Sequence, residues 1–178
     1  MGVTPADVLA FWREAGPRRW FARDEAFDAR FRERFLEAHL AASRRELDAW
    51  AESADGALAL VILLDQLPRN VFRGSAHAFA TDPLARAIVR RALAAGHDRA
   101  VDPALRMFFY LPLQHSEELA DQELSVRLAT EAGVPSEYAL HHRDIVARFG
   151  RFPHRNAALG RESTDEERAF LASGGFSG

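Results

Sequence analysis

The chain holds 33 alanines and 20 leucines against nine valines, three isoleucines and four threonines. Straight-chain residues and alanine lose little freedom in a helix, whereas strands draw on the β-branched types that are scarce here. The chain is therefore all-α. At 178 residues it can bury roughly 70% of its unfolded surface, enough for one compact domain without a metal or a disulfide to stabilise it. The cysteine count of zero agrees, and it also excludes thiolate-bound metal, iron–sulfur clusters and a thiol nucleophile.

Charge narrows the function classes further. All 23 basic residues are arginine and 26 residues are acidic, so the formal net charge is −3. A chain without lysine has no Schiff-base amine and no P-loop lysine. The balance argues against nucleic acid as a partner, because the arginines form no phosphate track and the aromatic residues follow core spacing. No Gly-x-Ser-x-Gly elbow occurs for serine catalysis. The longest apolar run, Ala57 to Leu64, is too short to cross a bilayer, and the N-terminus lacks a signal-peptide pattern. The expectation is a cytoplasmic protein with no membrane partner.

Helix starts are written as a capping residue followed by proline at Thr4-Pro5, Asp82-Pro83 and Asp102-Pro103. Ser116 and Thr164, each followed by acids, add two more. Gly16-Pro17, Gly74, Gly96, Pro112, Gly133 and Gly150 mark stops. About eight helices follow, near 5–15, 24–50, 56–67, 83–95, 103–111, 116–132, 136–149 and 164–172, with short connections that favour antiparallel pairs. The second carries a stripe of Phe27, Phe31, Phe35, Ala38, Ala42 and Ala49, and the third is apolar all round, as a central helix would be. The chain reads as a single helical domain, 1–178, with 173–178 a mobile tail.

Polar residues in apolar settings are the candidate site. Asp65 ends the apolar helix on its buried face and needs a partner; Arg69, Asn70 and Arg73 lie just beyond Pro68, which is expected to break the helix there. Asp65-Gln66 is echoed by Asp121-Gln122, again an acid and an amide on a helix. With Ser116 as cap, the wheel of the following helix points Glu118 and Gln122 inward and Glu117 outward. His115 and Glu118, three apart, have the spacing of an acid–base pair or two metal ligands. His142 is the polar member of the stripe Tyr138, His142, Ile145 and Phe149. From Ile145 to Arg161 there are four arginines, Arg148, Arg151, Arg155 and Arg161, with His154 and Asn156 and no carboxylate. Fork-shaped guanidinium groups on a loop anchored by Phe149, Phe152 and Pro153 suit the capture of carboxylate or phosphate. The rival reading has them neutralise Asp65, Glu118 and Asp121 internally.

Leu64-Asp65-Gln66-Leu67-Pro68-Arg69-Asn70 with Arg73, Phe79-Ala80-Thr81-Asp82-Pro83, Tyr110-Leu111-Pro112 to Gln122, and Gly150-Arg151-Phe152-Pro153-His154-Arg155-Asn156 to Arg161 resemble a bacterial family catalogued as domain of unknown function 924. The likeness spans Phe11-Trp12 to Phe170-Leu171. It implies a tetratricopeptide-like helical superhelix, although the repeat's own Trp-Leu-Gly-Tyr pattern is missing from this sequence. It implies no activity.

Three functional expectations follow. The leading one is a binding protein whose concave face carries an Arg-rich pocket for a small anion or an acidic peptide. Its lining is Asp65, Gln66, Arg69, Asn70, Arg73, His115, Glu118, Asp121, Gln122, His142, Arg148, Arg151, His154, Arg155, Asn156 and Arg161, with no cofactor and no resident metal. The second is a hydrolase using His115 or His142 with Glu118, with metal assistance as a variant. The third is a satisfied polar network that fixes helix register and holds no ligand.

Overall fold

The computed structural model describes residues 2–176, and every regular element among them is helical. Its contacts divide into two compact units, residues 2–73 with 77–112 and residues 74–76 with 113–176.

The first unit begins with α1 (Pro5–Ala15), closed at its start by a full capping box between Thr4 and Asp7. After the short α2 (Pro17–Trp20) comes α3 (Glu25–Ser43), capped by Asp24. Phe11 of α1 lies 5.2 Å from each of Phe27, Phe31 and Phe35 on α3, and Trp12 packs between Trp20, Phe31 and Phe108. Each such ring taken from water contributes about 1.5–3 kcal/mol, so this cluster fastens the two helices firmly. α3 stops well short of residue 50. Beyond Ala42 the run Ser43-Arg44-Arg45-Glu46 has nothing apolar to bury; Arg45 turns to a φ of 65° and Ala49 is exposed.

α4 (Ala54–Val61) starts on a Ser53 cap and a glycine that cannot be replaced: a Cβ on Gly56 would lie 2.1 Å from the Trp50 carbonyl. From Ala57 to Leu64 every side chain is at most 1% exposed, as the all-round apolar sequence requires. The expected break at Pro68 does not occur. The helix widens into one π-helical turn at Ile62–Gln66, where the Leu67 N–H reaches back to the Ile62 carbonyl, and continues as α5 (Leu67–Val71). Proline has no N–H and crowds the carbonyl four residues back, and the wider turn makes room for it. α6 (Asp82–Ala94) and α7 (His97–Ala100) complete the helices around α4, with a 3₁₀ turn at Arg106–Phe109 where a longer helix is expected. Asp82 is itself the first helical residue, not the cap.

Pro112 does not end a helix either. It sits inside the four-residue α8 (Leu111–Gln114), within which the boundary between the units falls. In the second unit α9 (Leu119–Ala132) and α10 (Glu137–Phe149) pack on one another across the short link at Gly133. α9 begins two residues later than the Ser116 cap predicts, with Glu118 in the cap position. The loop through Phe152 leads to α11 (Asp165–Ala172), which opens on the Thr164 and Glu167 capping box. Ile145, Val146 and Phe152 form the core, flanked by Phe149, Phe170 and Phe176. Of the tail read as mobile, 173–176 are described and Phe176 lies in that core, its ring 4.6 Å from that of His142; Ser177 and Gly178 lie outside the described residues. Among the described residues no helix is long and apolar enough to cross a membrane.

Candidate functional site

The expected pocket residues fall into two groups, one in each unit. Asp65, Gln66, Arg69, Asn70 and Arg73 belong to the first, where the π turn organises them. The reach of the Leu67 N–H to Ile62 frees the Leu63 carbonyl, Pro68 has no N–H for that of Leu64, and side chains of the unit supply donors here. His39 Nδ1 lies 2.9 Å from the Leu63 carbonyl, Thr81 Oγ1 donates to that of Leu64 at 2.5 Å, and Arg69 donates to that of Asp65 at 2.9 Å. Gln66 donates to the Asp65 carboxylate at 2.6 Å.

Arg69 is the hub of this unit. One of its nitrogens bridges Asp65 Oδ1 at 3.1 Å and Asp82 Oδ1 at 2.8 Å, while the other completes a two-pronged grip on Asp82 at 2.9 Å. Burial works against the guanidinium charge, but Asp65 and then Asp82 outweigh it and raise its pKa. Asn70 and Arg73 both donate to Asp28, at 2.7 and 3.2 Å. The group is a tied network, with acids and arginines matched in kind.

The remaining candidates lie in the second unit, where Gln122 turns inward as expected but Glu117 and Glu118 do not follow the wheel. Because α9 starts at Leu119, Glu118 is exposed and Glu117 turns inward, the reverse of the expected order. Glu117 accepts both guanidinium nitrogens of Arg161, at 2.7 and 2.9 Å, and the Phe152 N–H at 2.8 Å. Burial alone would raise its pKa; Arg161 and the Phe152 amide override it and hold the carboxyl below its ordinary range. Arg151 grips Glu167 at 2.6 and 2.9 Å, and Asn156 and the Thr164 N–H add to the same carboxylate. Led by the Arg151 hydrogen bonds, these donors pull Glu167 down to about 2. Arg148 pairs with Glu166 at the surface. Arg148, Arg151 and Arg161 are thus answered by acids of this unit outside the expected set: Glu166, Glu167 and Glu117. A shallow groove of about 430 Å³, lined by Arg148, Phe149, Arg151, Thr164, Glu166 and Glu167, consequently mixes both signs of charge.

A different cluster in this unit is basic. His142 is 6% exposed and its Nδ1 lies 2.7 Å from the Tyr138 carbonyl. At that distance Nδ1 carries the proton, leaving Nε2 as the bare acceptor of a neutral ring. Around it stand the rings of His115 at 6.2 Å, His141 at 6.4 Å, Phe152 at 5.6 Å and Phe176 at 4.6 Å. Arg155, also buried, lies 4.5 Å over the Phe152 ring and donates to the His115 carbonyl at 2.9 Å. His154 packs on Phe152 and Phe176. Burial first, then the proximity of His115, pushes the His142 pKa down to about 3, with His141 and Arg155 adding to the effect. Gln122 is fully buried and caps the end of α8, donating to the carbonyls of Gln114 and Ser116 at 2.6 Å each; Asp121 beside it is 3% exposed. Both halves of the Asp-Gln echo are therefore interior. With Glu118 at the surface, the expected His115 and Glu118 acid–base pair loses its carboxylate. Among the described residues no three His, Cys, Asp or Glu side chains are grouped to hold a metal.

Comparison with known proteins agrees with the resemblance read from the motifs. Residues 8–175 match the family described as Bacterial protein of unknown function (DUF924). The chain belongs to this family. It is 54% identical to a solved protein of unknown function from Agrobacterium tumefaciens, over 95% of this chain and 97% of that one, with a TM-score of 0.92. Among curated proteins no sequence matches. Family membership and the solved relative carry the all-helical fold; neither carries an activity.

Proposed function

We propose that this family member is a binding protein for a small anion, a phosphate or a carboxylate, held in the second unit beside His115, His142 and Arg155. The observation behind this reading is the environment of His142. Its suppressed protonation comes first from burial and then from its basic neighbours, and the geometry agrees: the His115 ring lies 6.2 Å away and the buried Arg155 donates to the His115 carbonyl at 2.9 Å. A ligand anion would reverse the second contribution. The hydrolase reading loses its main support with the outward turn of Glu118, and the mixed charge of the Arg148 and Arg151 groove favours anions less than the imidazole cluster does.

Inorganic phosphate and a simple carboxylate such as succinate, titrated against the wild-type chain, provide the test. Binding is expected with proton uptake, seen as an upward shift of the His142 titration by NMR. Arg155→Ala is expected to weaken binding about tenfold or more, the scale of one lost charge-assisted hydrogen bond. Equal titrations for the two proteins, or an unmoved His142, would contradict the reading.

A further inference from the structure

A second cluster of imidazoles lies in the first unit and is independent of the anion reading. His39 was not singled out from the sequence, although it shares the buried stripe of Phe35 and Ala42 on α3 and is 0% exposed. Its place is set by the π turn. The Leu63 carbonyl, released from the helix ladder, takes the Nδ1 hydrogen of His39 at 2.9 Å and so fixes which nitrogen is bare. His39 Nε2 then points at Nε2 of His77, 3.4 Å away. The His77 ring is held flat against Phe72, with centroids 3.9 Å apart and planes 11° apart, while the residue itself is exposed.

Two nitrogens bound to one tetrahedral ion at a Zn–N length near 2.05 Å stand about 3.3–3.4 Å apart. At the right angle of a square-planar ion of the same bond length they would stand about 2.9 Å apart. The observed separation matches the tetrahedral edge. The second shell matches as well: a metal-ligating histidine ordinarily donates its other ring N–H to a carbonyl or carboxylate, and the Leu63 carbonyl does this for His39.

From this geometry we infer that His39 and His77 form a two-histidine site for a tetrahedral divalent cation, zinc in the first place, with two coordination positions left to solvent or to an incoming ligand. His77 supplies the accessible side and His39 the preorganised one. The helix irregularity caused by Pro68 is on this view what builds the site, since a regular helix would have kept the Leu63 carbonyl for itself.

Zinc chloride added to the full chain, followed by long-range ¹H–¹⁵N NMR of the imidazoles, reads each of the seven histidines separately. The Nε2 resonances of His39 and His77 are expected to move together and saturate near one equivalent. Cobalt(II) in its place is expected to give the strong visible absorption of a tetrahedral centre. His77→Ala removes an exposed ligand with little burden on the fold, and should weaken zinc at this site about tenfold or more. His39→Gln, checked for folding by circular dichroism, should do the same. Unmoved His39 and His77 resonances at saturating zinc overturn the inference, also where zinc is captured by other imidazoles. So does a His77→Ala protein that titrates like the wild type, which would leave the pair as an ordinary imidazole hydrogen bond.

Discussion

The two units handle interior polarity by opposite means. In the first, a π turn releases backbone carbonyls and every charged neighbour is tied to a stated partner, with Arg69 between Asp65 and Asp82 at the centre. In the second, the backbone is regular, the arginines meet glutamates across a loop, and a cluster of imidazoles is gathered around Phe152 and Phe176. The contrast shows that buried charge by itself does not locate a ligand. The first arrangement ties its charges to one another, whereas the second keeps a ring neutral against its basic neighbours.

The contrast can be pressed hardest at its arginine hubs. Arg69→Met leaves Asp65 and Asp82 buried beside an apolar chain, and about 3–5 kcal/mol of unfolding free energy should be lost in a urea titration. Arg161→Met leaves Glu117, which is 27% exposed, in partial contact with water. Its loss should be nearer 1–3 kcal/mol, the range for a hydrogen bond to a charged group. Equal losses would erase the distinction drawn between the units.

A second measurement sharpens it through pH. His142 has its folded pKa at about 3, below the ordinary 6.5. Between those values the unfolded chain takes up a proton that the folded chain refuses, so stability falls as pH falls through the window. The slope is about 1.4 kcal/mol per pH unit for one such group. His142→Leu should lose this dependence, its stability curve rising relative to the wild type as pH drops from 6.5 toward 3. Parallel curves would show that the ring is protonated in the fold.

The smallest expected effect is at the surface. Arg148 and Glu166 are 54% and 62% exposed, and Arg148→Ala should change stability by about 0–1 kcal/mol. A larger loss would mean that the groove beside them is structural after all.

Much of this was legible beforehand. The Phe27, Phe31 and Phe35 stripe, the apolar helix through Leu64 and the caps at Thr4 and Thr164 are local signals, and local chemistry decided them. Pro68 reads as a stop because the penalty for proline is local too, whereas the remedy, Thr81 and His39 taking free carbonyls, comes from residues distant in the chain. Glu117 and Glu118 were exchanged for a simpler reason. Glu118 is the cap and Glu117 precedes it, so neither lies on the wheel that places Gln122, which is buried as expected. Asp28 has no mark in the sequence beyond its charge, and Glu166 only its place after the Thr164 cap, since ordinary surface acids look the same.

All three tryptophans, Trp12, Trp20 and Trp50, belong to the first unit, and two of them stack with rings 6.3 Å apart. Intrinsic indole fluorescence therefore reports on that half of the chain by default. The other half has Tyr138, 71% exposed, as its chromophore. An emission-detected melt that disagrees with a dichroism-detected one would be read as the halves parting company, and the native chain offers that spectroscopic separation without any label.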